Sequence, residues 1–192
     1  MDFHSHDGLL KLVALFRQNS RKLLENDLGG SPVSVHDCER RTLAFNQHLS
    51  LMLMNHSAFT ARYTMHFMLK DALAIVARKG NAAVAEVTRD RAIDYGKEFC
   101  NMLVGSIVNG LLAQELYAVH SLPFAMQGYN DIFFASHEGD GLYDAYYLTS
   151  EHGRIGISLT ISVSNAEGLE ALKGIDTARI ADASFSGSFD IL

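Results

Sequence analysis

The chain has little of what builds a stapled, secreted or membrane-spanning protein. It holds 2 cysteines, Cys38 and Cys100, far apart and without a CxxC pair. Neither a disulfide framework nor a zinc cluster fits that usage, and a reducing, cytoplasmic setting is expected. It holds 2 prolines, too few for long extended linkers. No apolar run approaches the ~18–20 residues that cross a bilayer. The densest, Leu49 to Met54, is broken by Ser50. The opening residues MDFHSHDGLL carry an acid at position 2 and no basic stretch, so no signal peptide and no membrane partner are expected. Positive charge is short as well: 16 Lys and Arg face 22 Asp and Glu, for a net charge of −6. That argues against nucleic acid as the main ligand, which asks for a basic face.

What is present is an ordinary globular composition, 192 residues with 48% hydrophobic and 20% charged. A chain of this length buries roughly 70% of its unfolded surface, so a core forms without staples. One domain is expected over 1–165, including an N-terminal helix, with a C-terminal extension over 166–192 of no assigned role.

Apolar periodicity predicts a helix over 7–28, with Asp7 as its cap and Gly29-Gly30 as its end. A short strand is expected at 33–37 and a longer one within Leu43 to Met54, closed by an Asn55-His56-Ser57 turn. Phe59, Ala61, Tyr63, Met65 and Phe67 then alternate with Thr60, Arg62, Thr64 and His66. Strict period two predicts a strand with one buried and one wet face, paired with its predecessor as an antiparallel hairpin. A helix over 70–79 ends at Gly80-Asn81, and Arg78 and Lys79 suit its C-terminal dipole. A long helix follows over about 86–117, then a loop from Ser121 to Gly128 that enters a short edge strand. Segments 130–136 and 142–149 are candidates to pair across the turn at Gly139-Asp140-Gly141, and Arg154 to Val163 is a second clean strand. The tail is expected to hold a short helix near 166–173 and a final extended piece ending SGSFDIL. The sum is α+β: an antiparallel sheet with long helices packed on one face.

The long helix carries the most information. At about 100° per residue, Ile93, Cys100, Leu103, Ile107 and Leu111 form a core stripe. Asp94, Glu98, Asn101, Gly105 and Asn109 fall on the opposite side, within roughly 80° of one another. A glycine within a helix costs roughly 0.5–1 kcal/mol relative to alanine. On a core face it permits close packing; on an outer face it clears space for something else to approach. Glu98 and Asn101 are helical neighbours, so a carboxylate and an amide stand beside bare backbone. Met102 and Leu112 flank the stripe as a candidate apolar rim. Spacing alone favours the plainer reading, a solvated helix face that tolerates one glycine.

The run Asp94-x3-Glu98-x2-Asn101-x3-Gly105 resembles the signature of the CheC/CheX/FliY family, phosphatases of the phosphorylated chemotaxis response regulator CheY. All four signature positions match. The hairpin, the helix at 70–79, the signature helix and the Ser121-Leu-Pro123 to Gly128 turn also follow the family's order, over about residues 8–163. One copy of the signature is present, which is similar to CheX rather than to CheC. The resemblance implies a CheC/CheX-like fold. It implies a phosphorylated CheY-like partner that carries Mg²⁺ in its own active site, with no cofactor or metal bound by this chain. It implies that Asn101 orients the attacking water and that Glu98 pairs with the regulator's active-site lysine, with Asp94, Met102, Gly105 and Asn109 contacting the partner. Such chemistry needs positioning and charge neutralisation more than covalent help. The family also implies a homodimer joined through sheet edges, and the strand at 155–163 is the expected unprotected edge.

Two rival functions stay open: a module that docks a receiver or the flagellar switch without turnover, and a structural dimer module that has kept only the fold. Retention of both Glu98 and Asn101 favours catalysis over docking alone. Smaller motifs carry less. His4 and His6, an HxH beside Asp7, are expected to belong to a flexible terminus rather than a metal site. His66 is expected to be solvated, Cys100 to be a buried inert thiol, and Gly139-Asp140-Gly141 to be a turn rather than a calcium loop.

Overall fold

The structure, a computed structural model, describes residues 6–39, 43, 48–127 and 141–183. Helix α1 runs Asp7–Asp27 and strand β1 Ser34–Asp37. The hairpin β2, His48–His56, and β3, Phe59–Phe67, leads into α2, Leu69–Lys79. A single 3₁₀ turn at Val84–Glu86 precedes the long helix α3, Arg89–Leu112. Short strands β4, Ala118–His120, and β5, Phe124–Gln127, follow, then β6, Gly141–Ser150, and β7, Gly153–Val163. A 3₁₀ helix at Glu167–Gly174 and α4, Thr177–Ala183, close the described chain.

The strands form one antiparallel sheet in the order β1-β6-β7-β3-β2, with β4 and β5 both on the far side of β2. Register runs from His48 opposite Phe67 to His56 opposite Phe59 in the hairpin, and from Phe59 opposite Val163 to Phe67 opposite Ile155 beyond it. Directly paired residues share a face. Met52, Tyr63, Tyr146, Leu159 and their neighbours therefore form one buried surface, which α1 and α3 cover. Phe16 of α1 stacks on Tyr63 with ring centroids 5.6 Å apart. Ser20 donates its hydroxyl to the Phe16 carbonyl at 2.7 Å, so the hydroxyls of Tyr63 and Tyr146, at 3.1 and 3.0 Å, donate to Ser20 Oγ. Three buried hydroxyls are thus satisfied without water, tying α1 to the centre of the sheet.

This is the α+β arrangement expected from the periodicities, with several local corrections. Asp7 lies in the first turn of α1, and the cap is His6, which is buried and 3.6 Å from Glu170 rather than part of a loose terminus. His4 lies outside the described residues. Strand β2 continues through His56, and the turn falls on Ser57-Ala58. The strand at Arg154 to Val163 is no edge: β7 is paired along its length with β3 on one side and β6 on the other. Among the described residues, the outermost strands are β1 on one side and the β4–β5 line on the other. The outer face of β3 is only partly wet. At the centre of the sheet, His66 is 3% exposed and lies 2.8 Å from Ser158 Oγ, and Thr64 is buried too. Gly139, Asp140, segment 130–136 and the final SGSFDIL lie outside the described residues.

The tail adds to the core. Leu169, Leu172, Ile175 and Ile180 are buried. Ile180 seats directly against Gly110 of α3, and Gln114 exchanges hydrogen bonds with the backbone of Asp176. The 3₁₀ helix Glu167–Gly174 packs along α1, where Leu172 meets Gly8.

Candidate functional site

Helix α3 starts where Thr88 accepts the Arg91 N–H through its side chain, and the chain leaves it through Glu115 at φ +63°. Its inner stripe is Ala92, Tyr95, Gly96, Phe99, Cys100, Leu103, Val104, Ile107, Val108 and Leu111, all buried. Ile93, expected on that stripe, is only half-buried. Cys100 donates to the Ser50 carbonyl at 3.4 Å, and burial pushes its thiol up to about 12, so it is a packing residue rather than a nucleophile.

The outer stripe is assembled as the wheel predicts. Asp94, Glu98, Asn101 and Asn109 are exposed and Gly105 is half-buried. Asp94 pairs with Lys97 at 2.6 Å on its own helix. The Asn101 amide makes no hydrogen bond to another described residue and stands open to solvent. Met102 is turned inward from the expected rim: it is half-buried and packs against the core, whereas Leu112 is exposed.

Glu98 has a partner that the helix pattern does not reveal. Lys79, at the end of α2, donates to Glu98 Oε1 at 3.2 Å and lies 3.0 Å from Asp27 Oδ1. Asp27 is nearly buried and accepts the Tyr95 hydroxyl at 3.0 Å. The Lys79 ammonium also lies 5.4 Å from the centre of the Tyr95 ring. Burial holds Asp27 above the usual carboxylate range despite Lys79. For Lys79, burial works downward, but Asp27 and Glu98 outweigh it and raise the ammonium. The lysine therefore stays charged, anchored inside by Asp27 and reaching Glu98 at the surface. In the sequence Lys79 is legible only as a cation that suits a helix end; its two acids come from α1 and α3.

The other unforeseen neighbour is His120. A Cβ built on Gly105 meets a single atom within 4 Å outside its own helix, His120 Nε2 at 3.9 Å. Among the described residues, the bare patch is thus bordered only by an imidazole from β4. Among the described residues, no group of three or more His, Cys, Asp or Glu is placed to hold a metal ion. No helix among them is long and apolar enough to cross a membrane.

This architecture matches solved structures. A CheC-like superfamily protein from Shewanella sp. PV-4 superposes with a TM-score of 0.63 at 15% identity, covering 79% of this chain and 97% of that one. The chemotaxis protein CheX from Vibrio vulnificus gives 0.60 at 14%, covering 77% and 97%. CheX of Borrelia burgdorferi, solved as a CheX–CheY–BeF₃–Mg²⁺ complex, gives 0.59 at 14%, covering 80% and 97%. The chain has the CheC/CheX fold. At these identities the likeness concerns fold. No protein-family model matches the chain, and no curated protein matches it in sequence.

Proposed function

We propose that the chain is a phosphatase that dephosphorylates the aspartyl phosphate of a CheY-like response regulator, inserting Glu98 and Asn101 of α3 into the regulator's active site. One observation carries this reading. On a fold that for the CheX of Borrelia burgdorferi is solved in complex with CheY, BeF₃ and Mg²⁺, α3 presents an exposed amide, without a hydrogen-bond partner among the described residues, and a carboxylate beside the bare backbone of Gly105. An amide donates and accepts hydrogen bonds at once, so Asn101 can hold a water in line with phosphorus without changing protonation. The metal and lysine that neutralise the phosphoryl oxygens belong to the regulator. Glu98 takes that lysine in exchange for Lys79, one ammonium for another, which fixes the register of docking. Asp94 and Asn109 border the contact, Met102 adds at most the part of its side chain left outside the core, and Gly105 lets the backbones approach. We propose further that the chain pairs with a second copy through the β4–β5 edge, beside which Val119, Leu122 and Phe124 are exposed.

The test is a panel of phosphorylated receivers. One is expected to lose its phosphoryl group faster with this protein than alone, and no faster than alone with Asn101→Ala. If every receiver decays at its spontaneous rate, the phosphatase reading is wrong.

A further inference from the structure

We propose that His120 is a further catalytic residue of this face, accepting the proton of the water that attacks the aspartyl phosphate. The inference rests on the phosphatase reading above and adds a proton acceptor to it.

His120 ends β4, where it pairs with Met54 of β2. Met54 is buried on the helix-facing side of the sheet, and paired residues share a face, so His120 is turned toward α3. Its Nε2 lies 3.9 Å from the position of a Gly105 Cβ. Asn101 is one helical turn before Gly105, and side chains so spaced have Cβ atoms about 5–6 Å apart. The imidazole therefore borders the helical turn that also carries the amide, and in the proposed complex one water lies between them.

The ring is also oriented. Its Nδ1 lies 3.0 Å from the Ser121 carbonyl. A carbonyl only accepts, so Nδ1 carries the hydrogen, and in the neutral ring Nε2 is the bare acceptor. Nε2 is the atom that faces Gly105, and it has no hydrogen bond or ion pair among the described residues. The carbonyl that sets this tautomer is itself fixed, because Ser121 N donates to Leu53 O at 2.9 Å and Leu53 N donates to Ser121 Oγ at 3.1 Å.

Asn101 can align a water but cannot take its proton. In the proposed step the water oxygen bonds to phosphorus, and the phosphorus–oxygen bond to the aspartyl carboxylate breaks. The carboxylate leaves with the electron pair, and one water proton passes to Nε2. The imidazolium then returns that proton to the released phosphate or to bulk water. The products are the free aspartate and inorganic phosphate. The transition state is loose, so bond making to water lags, and a factor near the low end of general-base catalysis, about 10²-fold, is expected.

The test uses His120→Ala and His120→Gln with a phosphorylated receiver that the wild-type chain dephosphorylates. Three quantities are read: kcat, the affinity for the same receiver loaded with beryllofluoride, and rescue by free imidazole, with receiver plus imidazole alone as the control. Both variants are expected to lose about 10² in kcat and to bind the loaded receiver as wild type does. Imidazole is expected to restore rate to His120→Ala and not to Asn101→Ala. Gln keeps a polar side chain of similar reach but accepts no proton at this pH, so His120→Gln at the wild-type rate overturns the proposal. So does His120→Ala at the wild-type rate, a loss of affinity that matches the loss of rate, or a rate that imidazole does not restore. If Asn101→Ala is slow while the His120 variants are fast, only this inference fails. If Asn101→Ala and wild type are equally fast, the underlying site is wrong.

Discussion

Gly96 and Gly105 lie on the same helix and face opposite surroundings. A Cβ on Gly96 would stand 2.6 Å from Ser50 Oγ and 2.9 Å from the Phe67 ring, so the sheet approaches α3 as closely as a glycine permits. Nearby, Cys100 reaches the Ser50 carbonyl at 3.4 Å. A Cβ on Gly105 would meet only His120 at ordinary contact distance. Each glycine costs the helix roughly 0.5–1 kcal/mol relative to alanine. At Gly96 close packing inside the fold offsets that cost. At Gly105 no contact with a described residue requires it, since His120 lies at ordinary contact distance, so the reason is sought in what comes to the surface.

The sharpest way to break this comparison is one substitution on each face. Gly96→Leu should destabilise severely, since a side chain forced into a closed contact costs about 1–3 kcal/mol and here meets two residues at once. Its thermal midpoint should fall well below that of the wild type. Gly105→Leu should unfold at the wild-type midpoint or slightly above it, because leucine is the better helix former, yet it should no longer dephosphorylate a receiver. If Gly105→Leu unfolds as Gly96→Leu does, the two faces are not different in kind.

Next in size is the split between the two polar residues of the outer face. Asn101 is proposed to act on the attacking water in the transition state, so Asn101→Ala should lower kcat by about 10²–10³, as removal of one positioned polar group does, with affinity nearly intact. Glu98 is proposed to pair across the docked interface, so Glu98→Ala should lose affinity as well as rate, by about 2–5 kcal/mol when the facing lysine is left desolvated. Receiver titrations with beryllofluoride separate the two. Equal affinities for both variants would remove Glu98 from the contact.

What the sequence discloses here follows from the range of each interaction. Period-two alternation located Phe59–Phe67, and the wheel of α3 separated Asp94, Glu98, Asn101 and Asn109 from Cys100, Leu103, Ile107 and Leu111, because those signals are local to one element. Strand order is not local. Residues 155–163 look like any amphipathic strand, and only the pairing of β7 with both β3 and β6 makes it central and leaves β4–β5 as the edge. His66 reads as solvated for the same reason, since its partner Ser158 lies on β7, distant in sequence. The site shows the same divide. Its helix was legible, while Lys79, Asp27 and His120 come from α2, α1 and β4, and no spacing within α3 could point to them.

Lys79 offers a smaller version of the same comparison, since one of its partners is buried and the other exposed. Asp27→Ala removes the buried partner and leaves the Tyr95 hydroxyl without its acceptor. A loss of about 1–3 kcal/mol is expected in denaturant titration. Glu98→Ala removes the exposed partner and should change stability by under about 1 kcal/mol. If the order is reversed, Lys79 is held by the surface rather than by the core. The two sheet edges can be compared as well. At β1 the edge carries Asp37, paired to Arg17 at 2.6 Å, whereas beside β4–β5 Leu122 is 86% exposed and Phe124 55%. Light scattering at micromolar concentration should give a dimer mass for the wild type and a monomer mass for Phe124→Lys. A monomeric wild type ends the edge-pairing proposal.

The smallest expected effect concerns pH, and it falls on the inner side of the sheet. His48 is buried, its ring stacks on Phe67 with centroids 5.5 Å apart, and neither ring nitrogen has a hydrogen-bond partner among the described residues. Burial, and then the charge of Arg89, lower its pKa from the ordinary 6.5. The folded state therefore prefers the neutral ring, while the unfolded chain takes up the proton more readily. The stability this contributes is present above pH 6.5 and is lost as the pH falls from there through the folded value. For one proton the slope is at most about 1.4 kcal/mol per pH unit. Burial lowers His56 in the same direction, so the two histidines add. His48→Phe keeps the stack on Phe67 and removes the proton, and should flatten part of the acid-side decline in thermal midpoint between pH 7 and pH 5. If His48→Phe and wild type decline in parallel, the acid sensitivity does not arise behind α3.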